Sequence, residues 1–364
     1  MLLVALSLAS GMAGGLWRLG LAIPTTAESA WLGRAAVDHA ALMISGFLGT
    51  VIGIERAVAV KLRWAFAAPV ASGVAGVCLL FAVARVGAWL GVAAALVFVA
   101  VNIVVVRRQR ADHTVLLLIA ANAWLIGDLL FSAGQDNSAI LPWWFSFLVM
   151  TIAAERQEMT RLMRRRPMAQ WSLHAVLAAM LLGAGLSAVS SVVGGVVYGA
   201  SVTLLALWLG VFDVARRTVY SDGLSRYMAL CLLGGYFWLA LAGLAWAATA
   251  LGLPARDAAL HALGLGFIVS MIMGHAPVIL PAVARIKLRF SPLFYLPLLA
   301  LHSSLALRLG FGAFEHSTRS LGAAFNAAAI ILFAATVVGA AWAHRAHEDD
   351  GLRSAPEHKT DVRR

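Results

Sequence analysis

Long apolar runs dominate this chain, and short polar connections separate them. Each run is about as long as the ~20 residues that a helix needs to cross a lipid bilayer. Twelve runs can be distinguished, and each predicts one transmembrane helix. The predicted spans are 1–23, 37–59, 64–84, 87–106, 113–133, 139–157, 171–190, 193–213, 227–251, 257–281, 291–309 and 320–343.

The connections between these runs alternate in charge. Those after even-numbered spans carry clusters of basic residues: Lys61 and Arg63 follow the second span, and Arg107 and Arg108 follow the fourth. Those after odd-numbered spans carry single basic residues or none. Because short basic loops stay in the cytoplasm, the alternation predicts an all-α polytopic bundle with both termini inside the cell (N-in/C-in).

The composition agrees with a chain that has the lipid bilayer as its main partner. Hydrophobic residues make up 62% of the chain and charged residues 12%, and the mean hydropathy is +0.87. A soluble domain carries about a quarter charged residues. We therefore expect one transmembrane bundle over residues 1–343 and a disordered polar cytoplasmic tail over 344–364. The net charge of +11 lies mainly in the loops and tail, so nucleic acid is not an expected partner.

Histidines are the most prominent ionisable groups inside the predicted spans. His39 and His261 begin the second and tenth spans at similar depth, near the outer face. His275 lies deeper on the tenth span, ~21 Å from His261 along the axis and on nearly the same face. His302 lies in the middle of the eleventh span. Ionisable groups at membrane depth are functional candidates, and imidazole is a common ligand of haem iron. Four histidines at paired depths favour haem or metal ligation over purely structural hydrogen bonding.

Other polar residues lie near the same level. Arg18, in the first span, can pair with a haem propionate or extend to the outer headgroups. Asp38 and Asp128 can orient an imidazole or carry protons. Pro277 and Pro281 predict a bend near His275. The two cysteines, Cys78 and Cys231, form no CxxC pair and are interpreted as small buried side chains.

Two histidine motifs suggest both an internal repeat and a family. HAALMISGF begins at His39 and HALGLGF at His261, and each leads into a helix that ends in a basic segment, AVAVKLR or ARIKLR. At HAALMISGF and HALGLGFIVSMIMGH the chain resembles the NnrS family. These are twelve-helix bacterial membrane proteins that contain haem and copper and are associated with nitric-oxide metabolism. That family is distantly similar to the haem-copper oxidase catalytic subunit, in which histidines of the second and tenth helices hold a haem.

The resemblance implies that His39 and His261 hold a haem. Departures from the family and the oxidases are visible. At the first motif this chain has Asp38-His39-Ala40-Ala41, where relatives often have a histidine pair and an acidic residue. Ala276-Pro277 follows Gly274-His275 where the NnrS family tends to have Thr-Gly-Arg, and the sixth span has no histidine for an oxidase-type copper site.

These observations predict a haem-b-binding protein of the bacterial inner membrane. It would hold one or two haems, with copper also possible, and His275 and His302 would line the second site. The resemblance implies that the ligand is a small diatomic such as nitric oxide, but it does not choose between binding, electron transfer and a haem-dependent oxidoreductase. Two alternatives remain open: a secondary transporter that uses Asp128, Asp213 and the kinked tenth helix, and a scaffold subunit with structural histidines. The sequence indicates no redox partner.

Overall fold

The computed structural model describes residues 1–23, 30–160 and 167–353. Within these ranges every regular element is a helix, as the apolar runs predict. The twelve long helices are α1 Leu2–Arg18, α2 His39–Val60, α3 Arg63–Leu80, α4 Ala84–Arg108, α5 Asp112–Ser132, α6 Asn137–Thr160, α7 Pro167–Leu186, α8 Ser191–Phe212, α9 Gly223–Ala250, α10 Arg256–Val283, α11 Pro292–Ala313 and α12 His316–Arg353.

Each predicted span coincides with one of these helices. Among the described residues, eleven helices (α2 to α12) are long and apolar enough to cross a membrane. The first, α1, is a shorter apolar helix that ends at Arg18 instead of residue 23. A short helix, Ala30–Val37, precedes α2 and packs against α1.

The C-terminal helix runs beyond the predicted last span. This helix, α12, continues to Arg353, ten residues into the predicted tail. Alanine, arginine and glutamate favour helix, which allows a polar sequence to extend an apolar helix beyond its apolar part. Residues 354–364, the rest of the predicted tail, lie outside the described residues. Residues 161–166, in the basic connection after the sixth predicted span, lie outside them too.

Helices that follow one another along the chain pack side by side, which places the connections at two ends of the bundle. Arg108 at the end of α4 donates from Nη1 to the Val60 carbonyl oxygen at the end of α2, at 2.7 Å. We call this end, where the connections after α2 and α4 lie, the basic end. Ser320 near the start of α12 donates to the Leu19 carbonyl oxygen just after α1, at 3.0 Å. This contact lies at the other end of the bundle, which we call the opposite end.

Two helices, α2 and α10, share an unusual construction. Each contains a π-helical segment shortly after its histidine, Leu42–Gly49 in α2 and Ala262–Val269 in α10, and each returns to α-helical turns afterwards. Each is followed by a basic residue with left-handed backbone, Lys61 at φ 58° and Arg285 at φ 56°. Such long π-helical segments are rare. The backbone therefore carries the same internal repeat that the two histidine motifs suggest.

The repeated helices lie close together inside the bundle. The π-helical segment of α2 packs against α1 and α3, and that of α10 packs against α9 and α11. Beyond the π-helical segments, the halves of α2 and α10 nearer the basic end contact each other. His39 and His261, at the starts of α2 and α10, also lie close together, although their motifs are far apart in the chain.

Candidate functional site

His39 is held by the backbone of α1. It is the first residue of α2, and its Nδ1 lies 2.7 Å from the Gly11 carbonyl oxygen. A carbonyl oxygen can only accept, so Nδ1 carries the hydrogen and Nε2 keeps its lone pair in the neutral ring. A metal-binding histidine is oriented in the same way, by a hydrogen bond from its other ring nitrogen.

A glycine on α1 makes room for this ring. A Cβ atom added at Gly15 would lie 2.8 Å from Cε1 of His39 and 3.1 Å from its Nδ1. A Cβ contact of 2.8 Å essentially never occurs in proteins, and one of 3.1 Å is unusually tight. The absence of a side chain at Gly15 therefore allows the His39 ring to lie against α1 while it stays bonded to Gly11.

His261 has the same tautomer but a different set of partners. Its Nδ1 lies 3.0 Å from the Asp257 carbonyl oxygen and 3.0 Å from the Asp257 carboxylate oxygen Oδ1. Its Nε2 lies 3.1 Å from Nη2 of Arg308. Because a guanidinium only donates, Nε2 accepts this hydrogen bond and Nδ1 donates to Asp257. In both neutral histidines the lone pair is thus on Nε2, and that of His261 accepts from Arg308.

Arg308 and Asp257 form a paired charge beside His261. Arg308 donates from Nε to one carboxylate oxygen at 3.0 Å and from Nη2 to the other at 2.8 Å. The side chain of Arg308 is only 7% exposed. Such a two-point pair fixes the orientation of both groups and ties the start of α10 to the later part of α11.

The two imidazole rings face each other across the boundary between α2 and α10. Their centroids are 6.5 Å apart, and their planes are tilted by 33°. A metal ion lies about 2 Å from an imidazole nitrogen, and that nitrogen lies roughly 1 Å from the ring centroid, so two rings on opposite sides of one metal have centroids about 6 Å apart. The separation of His39 and His261 has this magnitude.

The other two histidines predicted for the site are held apart from this pair. His275 has its Nδ1 2.7 Å from the Met271 carbonyl oxygen. His302 accepts a hydrogen bond at Nδ1 from Nε1 of Trp238, at 2.6 Å, so its hydrogen is on Nε2 when the ring is neutral. A Cβ at Gly234 would lie 2.9 Å from Cε1 of His302, which shows that this ring packs against α9. No contact between His275 and His302 is found among the described residues.

Arg18 and Asp38, which the sequence places near His39, do not bond to it. Arg18 is exposed in the last turn of α1, and only its charge acts on His39. Asp38 is half-buried and makes no capping hydrogen bond at the start of α2. Its carboxyl lies at the edge of the membrane-spanning part, where burial raises the pKa of Asp38. The carboxylate that orients a histidine of the pair is instead that of Asp257, which lies one turn before His261.

Asp128 belongs to a separate buried network. It is 2% exposed, and its Oδ1 accepts from Ser45 Oγ at 2.9 Å and from Trp144 Nε1 at 2.8 Å. Trp124 Nε1 donates to Ser45 Oγ at 3.0 Å. The second carboxylate oxygen, Oδ2, has no hydrogen-bond partner among the described residues, and it faces Gly91.

Sequence reasoning thus found the two facing histidines but missed Gly15, Asp257 and Arg308. Asp257 could have been found, because a residue four positions before a helical histidine lies on the same face. Nothing in the local sequence identifies Arg308. Within the described ranges, no group of three or more His, Cys, Asp or Glu side chains is placed to hold a metal ion.

Comparison with known proteins gives a family without an assigned activity. The model of the family described as domain of unknown function (DUF8744) matches residues 1–342. No curated protein and no solved structure matches the chain.

Proposed function

The chain belongs to the DUF8744 family, and for this member we propose a haem-b-binding, multi-pass membrane protein in which His39 and His261 are the two iron ligands. The observation that carries the proposal is the pair of facing imidazoles with centroids 6.5 Å apart. The NnrS-like motifs that begin at these two histidines support the same assignment.

The residues around the pair fit such a ligand. In both neutral rings the hydrogen is on Nδ1 and the lone pair is on Nε2, because the carbonyl oxygens of Gly11 and Asp257 accept from the two Nδ1 atoms. Hydrogen bonds of this kind fix the ring orientation and strengthen the ligand. Gly15 leaves the space in which the His39 ring lies.

Ligation requires one local change. The Nη2 atom of Arg308 bonds to Nε2 of His261 in this structure and has to leave it. Arg308 keeps a second contact, since its Nε donates to Asp257 independently. Arg308 can therefore leave Nε2 of His261 while its Nε stays bonded to Asp257.

A haem with two imidazole ligands supplies one-electron transfer. The chain would hold the two ligands on different helices, and it orients each ring by a hydrogen bond from Nδ1. If both histidines held the iron, this arrangement would favour electron transfer over direct binding of a gas. Action on nitric oxide or another small diatomic rests on the NnrS resemblance alone.

We place the protein in the bacterial inner membrane with both termini in the cytoplasm. The basic connections at the basic end, including Lys61, Arg63 and Arg108, support this orientation by the positive-inside rule. His39 and His261 then lie near the outer face. We restrict the proposal to one haem, because His302 directs Nδ1 to Trp238 and makes no contact with His275 in the described residues.

The reduced-minus-oxidised visible spectrum of the purified protein, expressed with ample haem, tests this proposal. We expect a b-type spectrum that disappears in His39→Gly and in His261→Gly and returns when free imidazole is added. His316→Gly is the matched control, because His316 is exposed at the start of α12, and it should keep the wild-type spectrum. A wild-type protein without a haem spectrum, or variants with an unchanged one, would contradict the proposal.

A secondary transporter is the second candidate, and Asp128 favours it. A fully buried carboxyl with one oxygen lacking a partner in the described residues is suited to bind and release a proton. This candidate predicts no haem spectrum and a transport activity that is lost in Asp128→Asn. The two candidates are therefore separated by the spectrum of the wild-type protein.

A further inference from the structure

A cavity of about 200 Å³ lies between helices at the opposite end of the bundle. Its walls come from the starts of α6, α8 and α10, from the last turns of α9, and from Ser187 just after α7. Neither His39 nor His261 lines it. The cavity is therefore separate from the histidine pair, and its own lining determines what it can hold.

Part of this lining is apolar. Leu141 of α6 and Leu260 of α10 contribute to it, together with Gly195 of α8 and Ala250 of α9. A Cβ added at Gly195 would lie 2.6 Å from the Cβ of Ala250, a contact that real side chains essentially never make. The absence of a side chain at Gly195 thus lets α8 and α9 meet at the wall of the cavity.

The polar part of the lining offers hydrogen-bond donors. Arg256, the first residue of α10, is exposed, and it forms no hydrogen bond or ion pair with a described residue. Trp246 is held by ring contacts with Phe145 and Tyr198, at centroid distances of 5.8 and 4.8 Å. Its indole N–H likewise makes no hydrogen bond within the described part of the chain. Because a guanidinium and an indole can only donate, both groups suit a ligand that accepts.

Two helix ends add to this preference. The helices α6 and α8 begin at the cavity, with Asn137 and Ser191, and they are 24 and 22 residues long. The first turn of a helix has backbone N–H groups without partners inside the helix and carries a partial positive charge. These two ends and the guanidinium of Arg256 therefore favour a negative group in the space between them.

No carboxylate lines the cavity among the described residues. Asp257, next to Arg256 in the chain, accepts two hydrogen bonds from Arg308. Asp136, just before α6, is exposed and forms no ion pair with Arg256. Residues 24–29, which include Glu28, lie outside the described part of the chain. The described lining thus carries one positive charge and no negative charge.

We propose that the cavity binds a phosphate group carried by an amphiphile, and that the headgroup of an anionic phospholipid is its source. Arginine binds phosphate oxygens through two parallel hydrogen bonds, and helix N-termini bind the same group. The apolar side chains of Leu141 and Leu260 suit the uncharged part of the molecule. In the membrane orientation proposed above, an end of the bundle lies at the level of the headgroups, and basic pockets between transmembrane helices bind such headgroups.

This proposal rests on the placement in a membrane but not on haem binding. A protein that lacks the haem spectrum can still bind the lipid, so the two proposals fail separately. The test uses the full-length protein, freed of lipid in dodecyl maltoside, and native mass spectrometry counts the bound molecules. The probe is dioctanoyl phosphatidylglycerol. The competitor is glycerophosphoglycerol, which has the same headgroup without the acyl chains.

We expect one phosphatidylglycerol per chain at saturation. Arg256→Gln should weaken binding about tenfold, and Trp246→Phe, which keeps a ring but loses the N–H, about threefold. Arg85→Gln is the matched control, because Arg85 is exposed at the start of α4, also at the opposite end, and it should bind like the wild type. Thermal unfolding of each lipid-free variant checks that it is folded.

The competitor distinguishes the two sources of phosphate. A bound lipid that glycerophosphoglycerol does not displace at equal concentration supports the phospholipid. Displacement would overturn the lipid as the source and assign the phosphate site to a soluble ester. Three results would overturn the phosphate site itself: a wild-type protein that binds neither compound, equal affinities of Arg256→Gln and Arg85→Gln, and equal binding of the uncharged dioctanoylglycerol.

Discussion

The Cα atom of Gly15 lies against the His39 ring, so that a methyl group added there would be 2.8 Å from Cε1. The ring cannot retreat without breaking the hydrogen bond from Nδ1 to the Gly11 carbonyl oxygen. The position of the His39 ring is therefore determined by two residues of α1, one turn apart. An alteration in α1 should affect the histidine pair as strongly as an alteration in α2.

The first prediction follows from this contact. Gly15→Ala should displace the His39 ring and lower the free energy of unfolding by about 1–3 kcal/mol, as overpacking does. It should also lower the haem content of the purified protein. Thermal unfolding in detergent and the haem spectrum measure the two effects. Gly33→Ala is the control, because a Cβ there would meet no atom within 4 Å. Equal behaviour of the two variants would refute the prediction.

The second prediction concerns Asp257 and Arg308. Removing one partner of a buried ion pair leaves an uncompensated charge and costs about 3–5 kcal/mol. The cost here should lie at the lower end, because the side chain of Asp257 is 28% exposed. Asp257→Asn and Arg308→Gln should each destabilise the protein, and the double variant should be less destabilised than the sum of the two.

Thermal unfolding of the two single variants and the double variant gives the coupling free energy of this pair. Asp222→Asn is the control, because Asp222 is exposed before α9, and it should leave stability unchanged. Strict additivity of the single variants would show that the ion pair does not contribute to folding.

The third prediction concerns Asp128. Asp128→Ala should leave the hydroxyl of Ser45 and the indole nitrogen of Trp144 without their acceptor, at a cost of about 1–3 kcal/mol for each buried group. Asp128→Asn keeps one acceptor oxygen and should cost less than Asp128→Ala. The order of the melting temperatures checks this prediction. The control is Asp136→Ala, since Asp136 is exposed between α5 and α6. A melting temperature of Asp128→Ala equal to that of the wild type would contradict it.

The fourth prediction uses the π-helical segment Leu42–Gly49. Deletion of Ile44 should convert π-helical turns to α-helical turns and change the angle at which His39 lies relative to the rest of α2. The ring would then lose its contact with Gly11, and the haem spectrum should disappear. Deletion of Ser221, in a bend between helices, is the control and should be tolerated. A wild-type spectrum after deletion of Ile44 would show that the π-helical segment does not position the ligand.

The positions of the helices could be predicted from local information, because the hydropathy of a span depends only on the residues within it. The positions of α2 to α12 follow from the apolar runs in this way. The π-helical segments could not be predicted in this way. Leu42–Gly49 and Ala262–Val269 are equally apolar whether they form a π-helix or an α-helix, so hydropathy does not separate the two. The left-handed backbone at Lys61 and Arg285 also lacks the glycine that usually marks a helix end.

The candidate site was only partly accessible from the sequence. His39 and His261 were found as a pair because they begin their spans at the same depth. The pairing of Arg308 with Asp257 joins distant parts of the chain and depends on how α10 and α11 pack. For the same reason, the hydrogen bond from Trp238 that separates His302 from His275 has no signature in the local sequence.

The contact between His39 and His261 also has a consequence for how the protein is made. Translation delivers α2 early, whereas α10 and α11 emerge only near the end of synthesis. During that interval the ring of His39 is positioned by α1 but lacks the ring that faces it. The ligand that we propose the two histidines share would thus be loaded only after most of the chain has been made. Its capture would mark completed biogenesis, and a chain interrupted before α10 would remain unloaded however well its early helices had inserted.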